Sequence, residues 1–159
     1  MNISFHLSYK SVYTGFDLYL LILIMKVKKI DNYYVIRLER GEELITKLYG
    51  FCQENEIKSG YFNGLGAVGS VEIALYSFSE KKYYTKTFEG DFEIASLFGT
   101  ISEPNLHVHI VVGDSEMKCF GGHLKKAVIS CTGEIVLVPG TGVITRYEDK
   151  EIGLNLMEI

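Results

Sequence analysis

Residues 107–123 read HVHIVVGDSEMKCFGGH and carry three of the four histidines in the 159-residue chain. Imidazole suits three jobs: divalent-metal ligation, proton transfer at neutral pH, and hydrogen bonding from a polar strand face. In a β-strand, residues i and i+2 point to the same side. His107 and His109 therefore project together, with Val108 and Ile110 on the opposite, apolar side. The chain turns near Gly113–Glu116, and the third imidazole sits on the returning strand. A two-residue loop at Asp114–Ser115 would put His123 beside Leu106, on the wrong face. A shift of one residue would put it opposite His107, and Gly121–Gly122 is a natural place for such a bulge. Three imidazoles on one face make a site for zinc or a similar divalent ion, with a position left for water or a ligand. The competing reading is a polar strand face with a nearby turn histidine. Asp114 and Glu116 read as turn residues. Cys119 shares the parity of His123, but no thiolate ligation is expected from it.

The elements around this segment follow from periodicity. Residues 33–39, YYVIRLE, alternate and are rich in β-formers, as a strand requires. Residues 41–57 place Leu44, Ile45, Leu48, Phe51 and Cys52 at helical spacing, with Glu42 and Glu43 in the first turn, where the helix dipole favours negative charge. Residues 59–78 read as strand, glycine-rich turn, strand, followed by strands over 82–90, 92–101, 106–112, 134–140 and 152–159. A short second helix is expected around 124–130. The connections are mostly too short for crossover helices, so the fold class is α+β, a mostly antiparallel sheet with a helix packed on it. GLGAVG (64–69) approaches a dinucleotide fingerprint. An extended segment follows it where a helix should start, so it reads as a turn.

Composition narrows the function classes. The chain is 47% hydrophobic and 23% charged, with 16 glycines, 2 prolines and a formal net charge of −4. That is one domain with a real core and no basic footprint for gripping phosphates. Three isolated cysteines without CxxC spacing indicate buried free thiols in a reducing, cytoplasmic setting. The apolar run DLYLLILIM is far shorter than the ~20 residues that span a bilayer. Residues 1–24 read as an extension outside the domain that begins at Met25, with a membrane-associated segment as the minor alternative.

Four segments, YFNGLGAVGSVEIALY, FEGDFEIASLFGTIS, LHVHIVVGD and FGGHL leading to GEIVLVP, give the stretch from Met25 to Ile159 a strong resemblance to the PPC (plants and prokaryotes conserved) domain. The resemblance implies a fold also similar to acetolactate decarboxylase, a zinc enzyme with its own H-x-H…H ligands. It implies a free-standing prokaryotic domain that forms homotrimers, with His107, His109 and His123 in the positions of the prokaryotic members' histidines. Plant members carry AT-hooks before the domain and a Gly-Arg-Phe-Glu-Ile-Leu motif linked to partner binding. Here Gly90, Asp91, Phe92, Glu93, Ile94 and Ala95 occupy that motif, so an Arg has become Asp and a Leu has become Ala. No Arg-Gly-Arg-Pro occurs in the chain. The family's DNA-binding label thus finds no support in this composition.

Two functions follow as expectations. One is a metal-binding homotrimer, regulatory in role and carrying that DNA-binding label. The other is a zinc-dependent lyase or hydrolase acting on a small oxyanionic substrate bound at the metal. For the second, Glu93, Glu134 and Arg146 are the charged residues available to handle the substrate, and their spacing does not choose among them.

Overall fold

The computed structural model describes residues 25–159. The expected extension over residues 1–24 lies outside the described residues. Among the described residues, eight strands and one helix run in the order β1 (Lys26–Ile30), β2 (Tyr33–Glu39), α1 (Leu44–Glu54), β3 (Ser59–Ser77), β4 (Lys82–Ser102), β5 (Leu106–Gly113), β6 (Cys119–Pro139), β7 (Arg146–Asp149) and β8 (Leu154–Met157). All strand pairings are antiparallel. The main sheet has the order β1-β2-β6-β3-β4-β5, and β5 also pairs with the start of β6. Strands β3, β4, β5 and β6 therefore close a ring of pairings. β7 and β8 form a separate ribbon.

The alternating strand patterns were legible, and the inward residues are the apolar ones: Ile36 and Leu38 of β2, Val108, Ile110 and Val112 of β5, and Ile135 and Leu137 of β6 are all buried. The helix buries Leu44, Leu48, Phe51 and Cys52, as its spacing requires. It is shorter than expected. Glu43 is its N-cap, accepting from the backbone N–H groups of Ile45 (3.2 Å) and Thr46 (2.7 Å). Glu43 also accepts from the Thr46 hydroxyl at 2.6 Å and from the Ala127 N–H at 3.0 Å, the latter tying the helix start to β6. Neither Glu42 nor Glu43 lies in the first turn, and Glu43 acts as the cap that satisfies the helix's orphan donors. Among the described residues, no helix is long and apolar enough to cross a membrane.

Three expectations about elements need correction. The expected helix at 124–130 is part of β6. Leu124 and Ala127 are buried three residues apart, which mimics helical spacing. The cause is a register shift: Leu124 pairs with Ile73 and Lys126 with Glu72, leaving Lys125 as an extra, bulged residue. GLGAVG is no turn. β3 runs through it with irregularities between Gly64 and Gly66 and between Val68 and Ser70. Gly66 has φ +145° and lies so close to β6 that a Cβ would strike the Thr132 carbonyl oxygen. Residues 82–102 form one strand where two were expected. The cysteines are all free, but only Cys52 is buried; Cys119 and Cys131 are exposed. Burial pushes the Cys52 thiol up to about 11.

Candidate metal centre

β5 carries His107 and His109 on its outward side, with Val108 and Ile110 turned into the core. The returning strand brings His123 directly opposite His109. This register differs from both sequence alternatives. The hairpin loop is five residues long, 114–118, and it holds itself together through Asp114. The Asp114 carboxylate accepts from the Glu116 N–H (2.9 Å) and the Lys118 N–H (3.0 Å). The odd loop supplies the parity shift, and the pairing from Gly113–Cys119 to His109–His123 is regular. Gly121 and Gly122 form no bulge there. They permit close approach: a Cβ on Gly121 would collide with the Ile110 carbonyl oxygen, and one on Gly122 would lie 2.9 Å from the Ile73 side chain.

The three rings converge. Their centroids are 5.1 Å apart for His107–His109, 5.1 Å for His107–His123 and 5.7 Å for His109–His123. One nitrogen from each ring lies within 4.8 Å of the others. Tetrahedral zinc needs ligand nitrogens about 3.3 Å apart at bond lengths near 2.0–2.1 Å. Small ring rotations close that gap, so the residues fit a divalent ion. The His123 imidazole is held neutral: burial, then the charges of Lys125, His107 and His109, push it down to about 4. His107 is lowered by burial first, then by His109, Arg146 and Lys125. Neutral imidazoles keep the lone pair that a metal needs.

Other sequence candidates separate by position. Of Glu93, Glu134 and Arg146, the last is the one whose charge acts on a cluster histidine. Glu134 pairs with Arg37 of β2 and Leu65 of β3. Glu93 lines a groove of about 440 Å³, together with Asp91, Phe92, Ala95, Cys119 and Cys131. The motif Gly90–Ala95 therefore serves that groove. Ile94 goes to the core, and Phe92 packs edge-on against Phe120 at 5.6 Å. Asp114 and Glu116 stay in the turn.

Two neighbours of the cluster escaped sequence reasoning. Tyr83 lies 5.4 Å from His123, ring to ring. The Lys125 ammonium sits over the Tyr83 ring at 4.2 Å. Lys125 is exposed at a bulge that strand alternation does not reveal, and no spacing pattern links Tyr83 to the histidines.

Comparison with known proteins places the fold. A protein from Bacteroides thetaiotaomicron, provisionally named DNA-binding, is 36% identical, with 84% of this chain and 96% of that one covered and a TM-score of 0.82. A plant- and prokaryote-conserved protein from Pyrococcus horikoshii is 28% identical over 93% of this chain and 98% of that one, at a TM-score of 0.74. A metal-containing protein from Archaeoglobus fulgidus is 27% identical over 87% and 99%, at 0.73. A Staphylococcus aureus protein similar to acetolactate decarboxylase, 9% identical over 76% of this chain and 55% of that one at 0.52, shares the fold alone. The bifunctional protein GlmU of a Synechococcus strain is 31% identical over 74% of this chain, and the chain spans about a fifth of the length of the curated relatives it matches. The family model described as the Plants and Prokaryotes Conserved (PCC) domain matches residues 25–140, and the chain belongs to that family.

Proposed function

We propose that this chain is a metal-binding homotrimer that holds one divalent ion per protomer, zinc by preference, through His107, His109 and His123. The observation that carries this reading is the convergence of three imidazole nitrogens within 4.8 Å on one sheet face. A metal-containing relative at 27% identity supports it. Zinc is favoured because three neutral nitrogens with an open fourth position form its usual catalytic or exchangeable set. When bound, the metal would supply a Lewis-acid position that this chain's own side chains leave open.

The test is metal analysis of untagged protein by mass spectrometry after zinc loading and dialysis. About one zinc per chain is expected, falling close to zero in the His107→Ala/His109→Ala variant. Near-zero zinc in the wild-type protein, or unchanged zinc in the double variant, overturns the reading. DNA is not part of the proposed function. A net charge of −4 gives little to release counterions from a duplex, so the same preparation should leave random duplex DNA unbound at sub-micromolar protein and about 150 mM salt.

A second reading, a zinc-dependent lyase or hydrolase acting on a small oxyanionic substrate, is favoured by one observation. A charged residue from another element, Arg146, bonds to Ser102 of β4, two residues from the Thr100 that faces His107.

A further inference from the structure

Arg146 opens β7, outside the main sheet, yet its guanidinium reaches back to β4. Its Nε donates to Ser102 Oγ at 2.7 Å, and its Nη1 donates to the Asn155 carbonyl oxygen at 2.9 Å. Ser102 stands two residues beyond Thr100, and Thr100 is the cross-strand partner of His107. The guanidinium thus lies on the histidine side of the sheet. Its third nitrogen, Nη2, is buried and has no hydrogen-bond partner. A charged donor left buried and unpaired is costly, and folds ordinarily compensate it.

Lys125 approaches the cluster from β6. It is the extra residue of the bulge between Leu124 and Lys126, and both it and Lys126 are exposed while Leu124 is buried. Bulges re-aim side chains in this way, often beside a site. Its ammonium rests over Tyr83, whose ring flanks His123.

Arg146, through Ser102, and Lys125, through Tyr83, thus bring two cationic side chains to the histidine side. Three neutral imidazoles do not neutralise a divalent ion, and no carboxylate contributes. The metal's charge and two further cations would then face the same open position, which calls for a negative ligand.

We propose that a small molecule bearing a carboxylate or phosphate group occupies this position, with one oxygen on the metal and others on Arg146 Nη2 and Lys125 Nζ. The proposal rests on the metal reading above and adds the ligand class and its protein contacts to it. Arg146 is a binding residue here, with the Ser102 and Asn155 bonds fixing its direction.

The test uses the full chain loaded with cobalt(II), whose visible bands report both metal uptake and exchange of a ligand on the metal. Acetate and inorganic phosphate are titrated separately, with acetamide as the uncharged control. At least one anion is expected to shift the bands saturably, and acetamide to leave them unchanged. The tighter of the two anions identifies the group. Arg146→Gln should weaken the anion by about tenfold or more, and Lys125→Gln by about threefold, with cobalt stoichiometry unchanged in both. Arg146→Lys keeps the charge without the fork and should fall between wild type and Arg146→Gln, even if the latter loosens the β7–β8 ribbon. Cobalt bound with no anion response overturns the anion proposal and leaves the metal reading standing. Equal anion affinity in wild type, Arg146→Gln and Lys125→Gln overturns the assigned contacts. Failure to take up cobalt overturns the metal reading and this proposal with it.

Discussion

His123 binds its proton far more weakly in the fold than in an open chain. Burial and the neighbouring Lys125 push it from 6.5 to about 4. Between those values the unfolded chain takes up a proton at this residue and the folded chain does not. Stability therefore rises with pH across that window and falls as pH drops from about 6.5 to about 4. His107 contributes in the same direction. In metal-free protein, Tm should decline over this range, and His123→Asn should flatten the decline. An equally steep profile in the variant would locate the titrating group elsewhere. His107 and His109 were legible as a pair because strand geometry alone puts i and i+2 on one side. Which residue His123 would face depended on loop length, and the five-residue loop is fixed by the Asp114 side chain, a choice that hydrophobic patterning does not reveal.

Strand β6 ties the site to three neighbouring strands. Its start pairs with β5, and its later residues pair with β3 and β2. The Gly-Gly step lies where β5 and β3 both press on it. Gly121→Ala forces a Cβ against the Ile110 carbonyl, which should cost about 1–3 kcal/mol. It should also splay His123 from His109 and weaken zinc binding. Gly142→Ala is the control, since nothing lies within 4 Å of its Cβ position. Denaturant unfolding and zinc titration of both variants check this; a Gly121→Ala protein as stable as Gly142→Ala would contradict the close packing. This was also the element least legible in the sequence. The bulge at Lys125 breaks the alternation that reveals strands, and the buried pair Leu124 and Ala127 then imitates a helix. The long β3 was split for a related reason: Gly64 and Gly66, which read as a turn, are sites of close strand contact, whereas β4 runs on through Gly90 at φ +141°.

Over the molecule as a whole, the histidine face also carries exposed apolar side chains. One cross-strand row runs Val35, Val136, Asn63, Phe98, His109, His123. Phe98 is 51% exposed, and Tyr61, stacked on it at 6.1 Å, is 45% exposed. Leu65 extends the patch. Exposed aromatic surface on a sheet face is the kind that interfaces bury, and the proposed trimer would cover it. Light scattering should give three times the chain mass, both for the full chain and for a chain beginning at Met25. Phe98→Glu should shift the mass toward monomer. A monomeric chain from Met25, or a trimer unaffected by Phe98→Glu, would place the interface elsewhere or remove it.

The sequence by itself determined the class of fold, the first helix, the inward faces of the strands and the pairing of His107 with His109. These are local consequences of side-chain period and turn chemistry, so a single chain read in order contains them. The tertiary structure decided the rest. It set the partner of His123 through a loop, and the exposure of Lys125 through a bulge. It also brought Arg146 from a separate ribbon to the histidine side through its bond to Ser102. Each of these contacts joins segments that are distant in the chain or out of phase with it. Their geometry depends on register and closure, which are settled only when all strands pair at once.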